Sequence, residues 1–131
     1  MEARTHGFDD WAQLQKEMGA LRSASPREQY EAGQRAGVQT GCEGLADVLF
    51  AIQKSRLGRA ALVEQSNSHA VFRISDCRCG WGQVGRGFAA GFISGALMST
   101  GVYSHVRVEE VSCGEPPGCV CVFRAALVLK A

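Results

Sequence analysis

"CRCGWGQVGRG", residues 77–87, is the stretch on which the fold turns. Gly80, Gly82 and Gly85 fall in the G-x-G-x-x-G spacing with which a dinucleotide-binding turn opens a helix and cradles a pyrophosphate. On that reading the chain is a parallel α/β fold that transfers hydride. On the other reading the glycines only let the chain turn tightly from strand into helix. Cys77 and Cys79 then become the residues of interest, and the flanking segments decide the fold.

Upstream, "AALVEQ" and "HAVFRIS" are short β-type runs joined by "SNS", so residues 60–75 read as a hairpin. Downstream, "GFAAGFISGALMST", residues 87–100, reads as a helix with small residues on one side. "HVRVEEVSC" and "CVCVFRAALVL" follow, joined by "GEPPG", and make a second hairpin. A dinucleotide fold needs its helix to cross over to a parallel strand, and hairpins offer none. Trp81 also occupies a turn position where small residues let a pyrophosphate approach. Glu109 and Glu110 end a β-rich run where a ribose-binding acid would sit, so an NAD(P)-linked oxidoreductase stays as the third reading.

Ahead of the hairpins, Phe8, Trp11, Leu14, Met18 and Leu21 recur at helical intervals, which marks residues 1–24 as an N-terminal helical segment. Ser25, Pro26 and Glu28 then give N-cap, N1 and N3 of a capping box. The helix they start is expected to run to about Arg56 with a bend. Gly33, Gly37 and Gly41 lie along it at four-residue spacing. Glycine inside a helix costs about 1 kcal/mol relative to alanine, so three in a row call for a close-packed backbone, in a partner chain or in this one. The expected fold is α+β, in the order α-α-β-β-α-β-β: N-terminal helices packed on an antiparallel sheet of two hairpins with a helix between them. Residues 25–131 form one domain.

The 131 residues carry 14 Lys and Arg against 13 Asp and Glu, interspersed, for a net charge of +1. That excludes the basic surface a nucleic acid or an anionic membrane requires. The start, "MEARTHGFDDW", lacks the apolar core of a signal peptide, and a cytoplasmic protein is expected. Six cysteines in a reducing compartment read as metal ligands, buried thiols or catalytic groups before disulfides.

"GFAAGFISGAL", "VEEVSC" and "CVCVF" together resemble the 4-vinyl reductase (4VR) domain family, whose hallmark is a cysteine, a G-x-x-x-G helix, E-x-x-C, and a cysteine eight residues on followed by x-F. "YEAGQRAG", residues 30–37, is similar to that family's helical YxxGxxxG, and "LGRAALVEQSNSHAVFRI" to its central hairpin. The resemblance covers residues 25–128. It implies a fold shared with the sensor domains of aromatic-responsive activators and with vesicle-tethering TRAPP subunits. It further implies a homodimer through the glycine-bearing helix and a pocket for a small hydrophobic molecule between helix and sheet. In the aromatic sensors a zinc ion is held by an early cysteine, the glutamate and cysteine of E-x-x-C, and a late cysteine. Glu110, Cys113 and Cys121 match the last three, with Cys79 as the first ligand or Cys77 as its alternative. The segment between helix and E-x-x-C is longer here, and Cys119 is an extra thiol.

Read from the residues alone, Cys113 and Cys121 leave three readings open: ligands of a closed zinc shell, buried thiols, or a disulfide under oxidising conditions. Trp81, Phe88, Phe92 and Phe72 are the candidate aromatic lining of an apolar pocket, with core filling as the alternative. His6, His69 and His105 share no motif with a nucleophile, and no Ser-His-Asp, H-E-x-x-H or P-loop pattern occurs. The leading expectation is therefore a non-enzymatic sensor or carrier of a small hydrophobic molecule, acting with a separate protein. A dimeric scaffold subunit comes second.

Overall fold

A computed structural model describes residues 25–55, 57–75, 83–113 and 120–130. Helices α1 (Pro26–Val38) and α2 (Leu45–Lys54) lead into strands β1 (Arg59–Gln65) and β2 (His69–Ser75). Helix α3 (Gln83–Ser99) follows, and β3 (Tyr103–Cys113) and β4 (Val120–Leu129) close the order. The strands form one sheet in the order β1-β2-β4-β3, antiparallel at each junction. This is the expected α+β arrangement. The absence of parallel pairing among the described residues removes the crossover on which a dinucleotide fold depends.

The sheet alternates strictly where it matters. Ala70, Phe72 and Ile74 of β2 and Cys121, Phe123, Ala125 and Leu127 of β4 are buried, while Arg73, Arg124, Ala126 and Val128 between them are exposed. One face is therefore core and the other open. Onto the core face pack Val48, Ala51 and Ile52 of α2 and Phe88, Phe92, Ile93 and Leu97 of α3. Each fully buried phenylalanine or leucine contributes roughly 1.5–3 kcal/mol relative to exposure. Residues 88–97 of α3 are all buried, as befits a helix between α1 on one side and the sheet on the other.

The capping box forms as the sequence predicts: the Glu28 N–H donates to Ser25 Oγ at 3.2 Å, and the Ser25 N–H donates to Glu28 Oε1 at 2.8 Å. The expected single helix to Arg56 does not. It stops at Val38, because Thr40 Oγ1 donates back to the Gly37 carbonyl at 2.7 Å and Gly41 turns left-handed at φ 66°. Gly41 is thus a turn residue and not the third member of a helical row.

Gly33 and Gly37 serve the chain's own α3. A side-chain carbon at Gly33 would stand 2.1 Å from the Phe88 carbonyl oxygen, and one at Gly37 2.2 Å from that of Phe92. Gly91 and Gly95 return the contact against the carbonyls of Tyr30 and Gln34, at 1.9 and 2.1 Å. Numbers rise together along both helices, so α1 and α3 run parallel with backbone on backbone. The reading of these glycines as a dimer seat is replaced, for Gly33 and Gly37, by packing within one chain.

Two side chains of that helical pair fasten the outer edge of the sheet. The Val108 N–H donates to Tyr30 Oη at 3.0 Å, and Ser94 Oγ donates to the Val106 carbonyl at 3.3 Å while accepting from Gln34 Nε2 at 3.0 Å. Backbone groups of an edge strand that would otherwise need water are thereby satisfied.

Candidate functional site

The fastening leaves a hollow beside it. Pro26 and Gln29 of α1, Gly87 and Ala90 of α3, and Val108, Glu109 and Glu110 of β3 border an open cavity of about 250 Å³ between helices and sheet. Its position follows from local rules: the capping box sets where α1 begins, and the Tyr30 bond sets how close β3 lies. The bareness of Gly87 leaves room that the Gln29 amide leans into, since a carbon at Gly87 would meet Gln29 Oε1 at 3.0 Å. Gln29 is 5% exposed, whereas the two glutamates are exposed at the mouth. An apolar floor, one buried amide and a carboxylate rim give the mixture that holds and orients a small molecule. At about 250 Å³ the space suits a ligand smaller than the drug-sized compounds of 300–1,000 Å³ pockets.

Among the described residues, Glu110 is the expected metal ligand that lines this cavity. It pairs in register with the inward-facing Phe123, and Cys113 pairs with Cys121. A regular strand would put residues 110 and 113 on opposite faces. The register slips between Glu110 and Ser112, making Val111 a bulge, and this restores both positions to the parity of Phe123 and Cys121. Cys121 is completely buried and not in a disulfide. Among the described residues no three metal-capable side chains come together. Cys77, Cys79, Trp81 and Cys119 lie outside the described residues, and so does the N-terminal segment.

Phe72, Phe88 and Phe92 are core residues, exposed by 1% or less, and none of them lines the cavity. Pro26, Gln29, Gly87, Ala90 and Val108 are not among the site residues expected from the sequence. The one available signal was Gln29, a polar residue on the face of α1 that also carries Ala32, Gly33 and Gly37. At the far end of α3, Cys42 is buried with its Sγ 3.2 Å from Thr40 Oγ1, and its N–H donates to Ser99 Oγ at 2.9 Å. Burial pushes that thiol's pKa up, against smaller opposing pulls from the Thr40 and Ser99 hydroxyls. Cys42 is accordingly a packing residue and a poor nucleophile.

No protein-family model matches the chain, and no curated protein matches it by sequence. Solved structures share its fold. A vinyl-4-reductase family protein from Methanocaldococcus jannaschii aligns with a TM-score of 0.61 at 20% identity, over 76% of this chain and 68% of that one. A trafficking protein particle complex subunit 3 from Naegleria fowleri, covalently bound to palmitic acid, aligns at 0.54 and 14% identity, over 92% of this chain and 93% of that one. A point mutant of the T. tengcongensis H-NOX aligns at 0.52 and 14% identity, over 89% and 69%. Identities this low show a common fold. Among the described residues no helix is long and apolar enough to cross a membrane.

Proposed function

We propose that the chain is a non-enzymatic small-molecule-binding module of the cytoplasm, a sensor or carrier whose hydrophobic ligand enters between the helices and β3. The observation that carries this reading is the cavity of about 250 Å³ with its apolar floor, its buried Gln29 amide and its glutamate rim. A shared fold with a subunit that holds palmitic acid supports it, because that fold is able to admit an apolar molecule. The chain passes its state to a separate protein, as a homodimer or alone. A structural zinc belongs to the same proposal. Cys113 opposite Cys121, with Glu110 on the same register parity, supplies a thiolate and carboxylate set that zinc accepts, and Cys79 or Cys77 completes it. Bound there, zinc would hold the end of the last hairpin without taking part in chemistry.

Thermal-shift measurements against phenols, hydrocarbons and tetrapyrroles test the pocket. At least one class should raise the melting temperature, and Ala90→Leu, which fills the cavity, should abolish that rise. No shift with any class would refute the reading. Elemental analysis of protein purified without added metal should return close to one zinc per chain; none, with every thiol titratable on unfolding, removes the metal.

A further inference from the structure

The polar side chains around the cavity between α1, α3 and β3 share one chemical bias. Its described walls divide into an apolar part, Pro26, Ala90 and Val108 with the bare Gly87, and three polar residues, Gln29, Glu109 and Glu110. All three accept hydrogen bonds, and ionised carboxylates can only accept. Among the described residues no lysine, arginine, histidine or hydroxyl-bearing side chain lines it. Beyond the Gln29 amide N–H groups, the described side chains of the lining therefore offer a ligand no donor. A ligand rich in acceptors or negative charge would lose its water there without replacement. One that brings donors and positive charge finds partners on both α1 and β3.

Gln29 lies deepest of the three, at 5% exposure, while both glutamates are exposed. The residue is anchored by an interaction of its own and still has Oε1 to offer as an acceptor, closed off from water beside Gly87. A carbonyl that water does not reach gains more from a ligand's donor than a solvated one does. The last torsion of a glutamine side chain is broad, so a small rotation turns Oε1 toward the cavity. At the mouth, Glu109 forms no ion pair among the described residues. Arg124 stands opposite it in the strand register but borders the outer groove and not this cavity. Glu110 has an interaction of its own, so Glu109 is the carboxylate the rim can turn to a ligand. An apolar cavity of about 150 Å³ admits benzene, so one of about 250 Å³ has room for a single ring with a short tail.

We infer, resting on the binding module proposed above, that its ligand is a small amphipathic cation of the arylalkylamine class. The ammonium donates to Gln29 Oε1 and faces the Glu109 carboxylate, while the apolar body lies on Ala90 and Val108. An ammonium suits both sites, because it has three donors and its hydrogen bonds are charge-assisted.

The test is a titration of the full chain, followed by amide chemical shifts, with four probes that share a phenyl ring: 2-phenylethylamine, 2-phenylethanol, phenylacetate and ethylbenzene. The amine should bind at least about tenfold more tightly than the alcohol or the hydrocarbon, and phenylacetate should not bind. Glu109→Gln, at an exposed position, should weaken the amine about twofold to fivefold and leave ethylbenzene unchanged. Gln29→Met should weaken amine and alcohol about tenfold. Ethylbenzene binding as tightly as the amine, with Ala90→Leu blocking both, overturns the inference and leaves the pocket standing. An amine preference that Glu109→Gln and Gln29→Met both leave intact overturns it too. Binding of no probe, or binding that Ala90→Leu does not disturb, overturns it together with the pocket. If Gln29→Met loses cooperative unfolding, Glu109→Gln and the ranking of the four probes decide.

Discussion

A side-chain carbon at Gly91 would stand 1.9 Å from the carbonyl oxygen of Tyr30 and 2.9 Å from the Gln34 nitrogen, both of them backbone atoms. Gly91→Ala therefore has nowhere to put its methyl group unless α1 and α3 move apart. That separation would strain the Tyr30 bond to β3 and the Gln34–Ser94 pair together. Chemical denaturation should show a loss of about 3 kcal/mol or more, at the upper end of overpacking penalties. Gly87→Ala, one turn earlier, should have the opposite sign. Its methyl meets the flexible Gln29 side chain, which can retreat into the cavity, and a helical Gly→Ala exchange gains up to about 1 kcal/mol. The same substitution should weaken ligand binding, because Gln29 would occupy the ligand's space.

Tyr30→Phe isolates the sheet-edge bond. The ring keeps its packing while the Val108 N–H loses its acceptor at a partly buried position. An unsatisfied backbone donor of this kind costs about 1–3 kcal/mol. Hydrogen exchange should show the Val108 amide opening faster in the variant, with the amides of β1 little changed.

How much of this was legible in the sequence depends on the range of the interaction. The capping box and the two hairpins are local patterns with one physical meaning, and the element order followed from them. Gly33 and Gly37 called for a close backbone, but whether it belonged to a partner or to this chain's own α3 depends on a contact distant in sequence. The break at residues 39–44 was missed because the signal lies in a Thr40 hydroxyl and a Gly41 backbone angle, neither of which disturbs the apolar spacing of Leu45, Val48 and Ile52. The cavity was missed for a different reason. Its walls come from three elements far apart in sequence, and what defines it is the missing side chain of Gly87. The bulge at Val111, which brings positions 110 and 113 to one register parity, has no signature in the E-x-x-C spacing.

Glu28 gives the fold a pH dependence of defined sign. Its carboxylate accepts from the Ser25 backbone N–H, the larger effect, and lies within the reach of the Ser25 hydroxyl, which together lower its pKa below the ordinary carboxylate value. A folded-state pKa below the unfolded one means that the contribution is complete above the unfolded value and is lost as pH falls through the folded one. Melting temperature should therefore decline on acidification across and below the usual glutamate range. Glu28→Gln keeps a side chain able to accept the same hydrogen bond, so it should flatten that decline while leaving the neutral-pH helix in place.

Cys42 has the opposite linkage. Burial disfavours its thiolate, so the folded-state pKa lies above the unfolded one. The stability this provides is complete below the unfolded thiol pKa and is lost as pH rises through the folded value, where the buried sulfur must ionise or the turn must open. In native protein at mildly alkaline pH, a disulfide reagent should modify Cys42 at the rate of local opening, orders of magnitude slower than a free thiol. Cys42→Ala should remove the alkaline sensitivity at a modest loss of packing, because the hydroxyls of Thr40 and Ser99 keep their bonds to the Gly37 and Ala96 carbonyls at 2.7 Å each. Rapid labelling in the native state, or an alkaline melting curve unchanged by Cys42→Ala, would show that the thiol is not sealed between the α1–α2 turn and the end of α3.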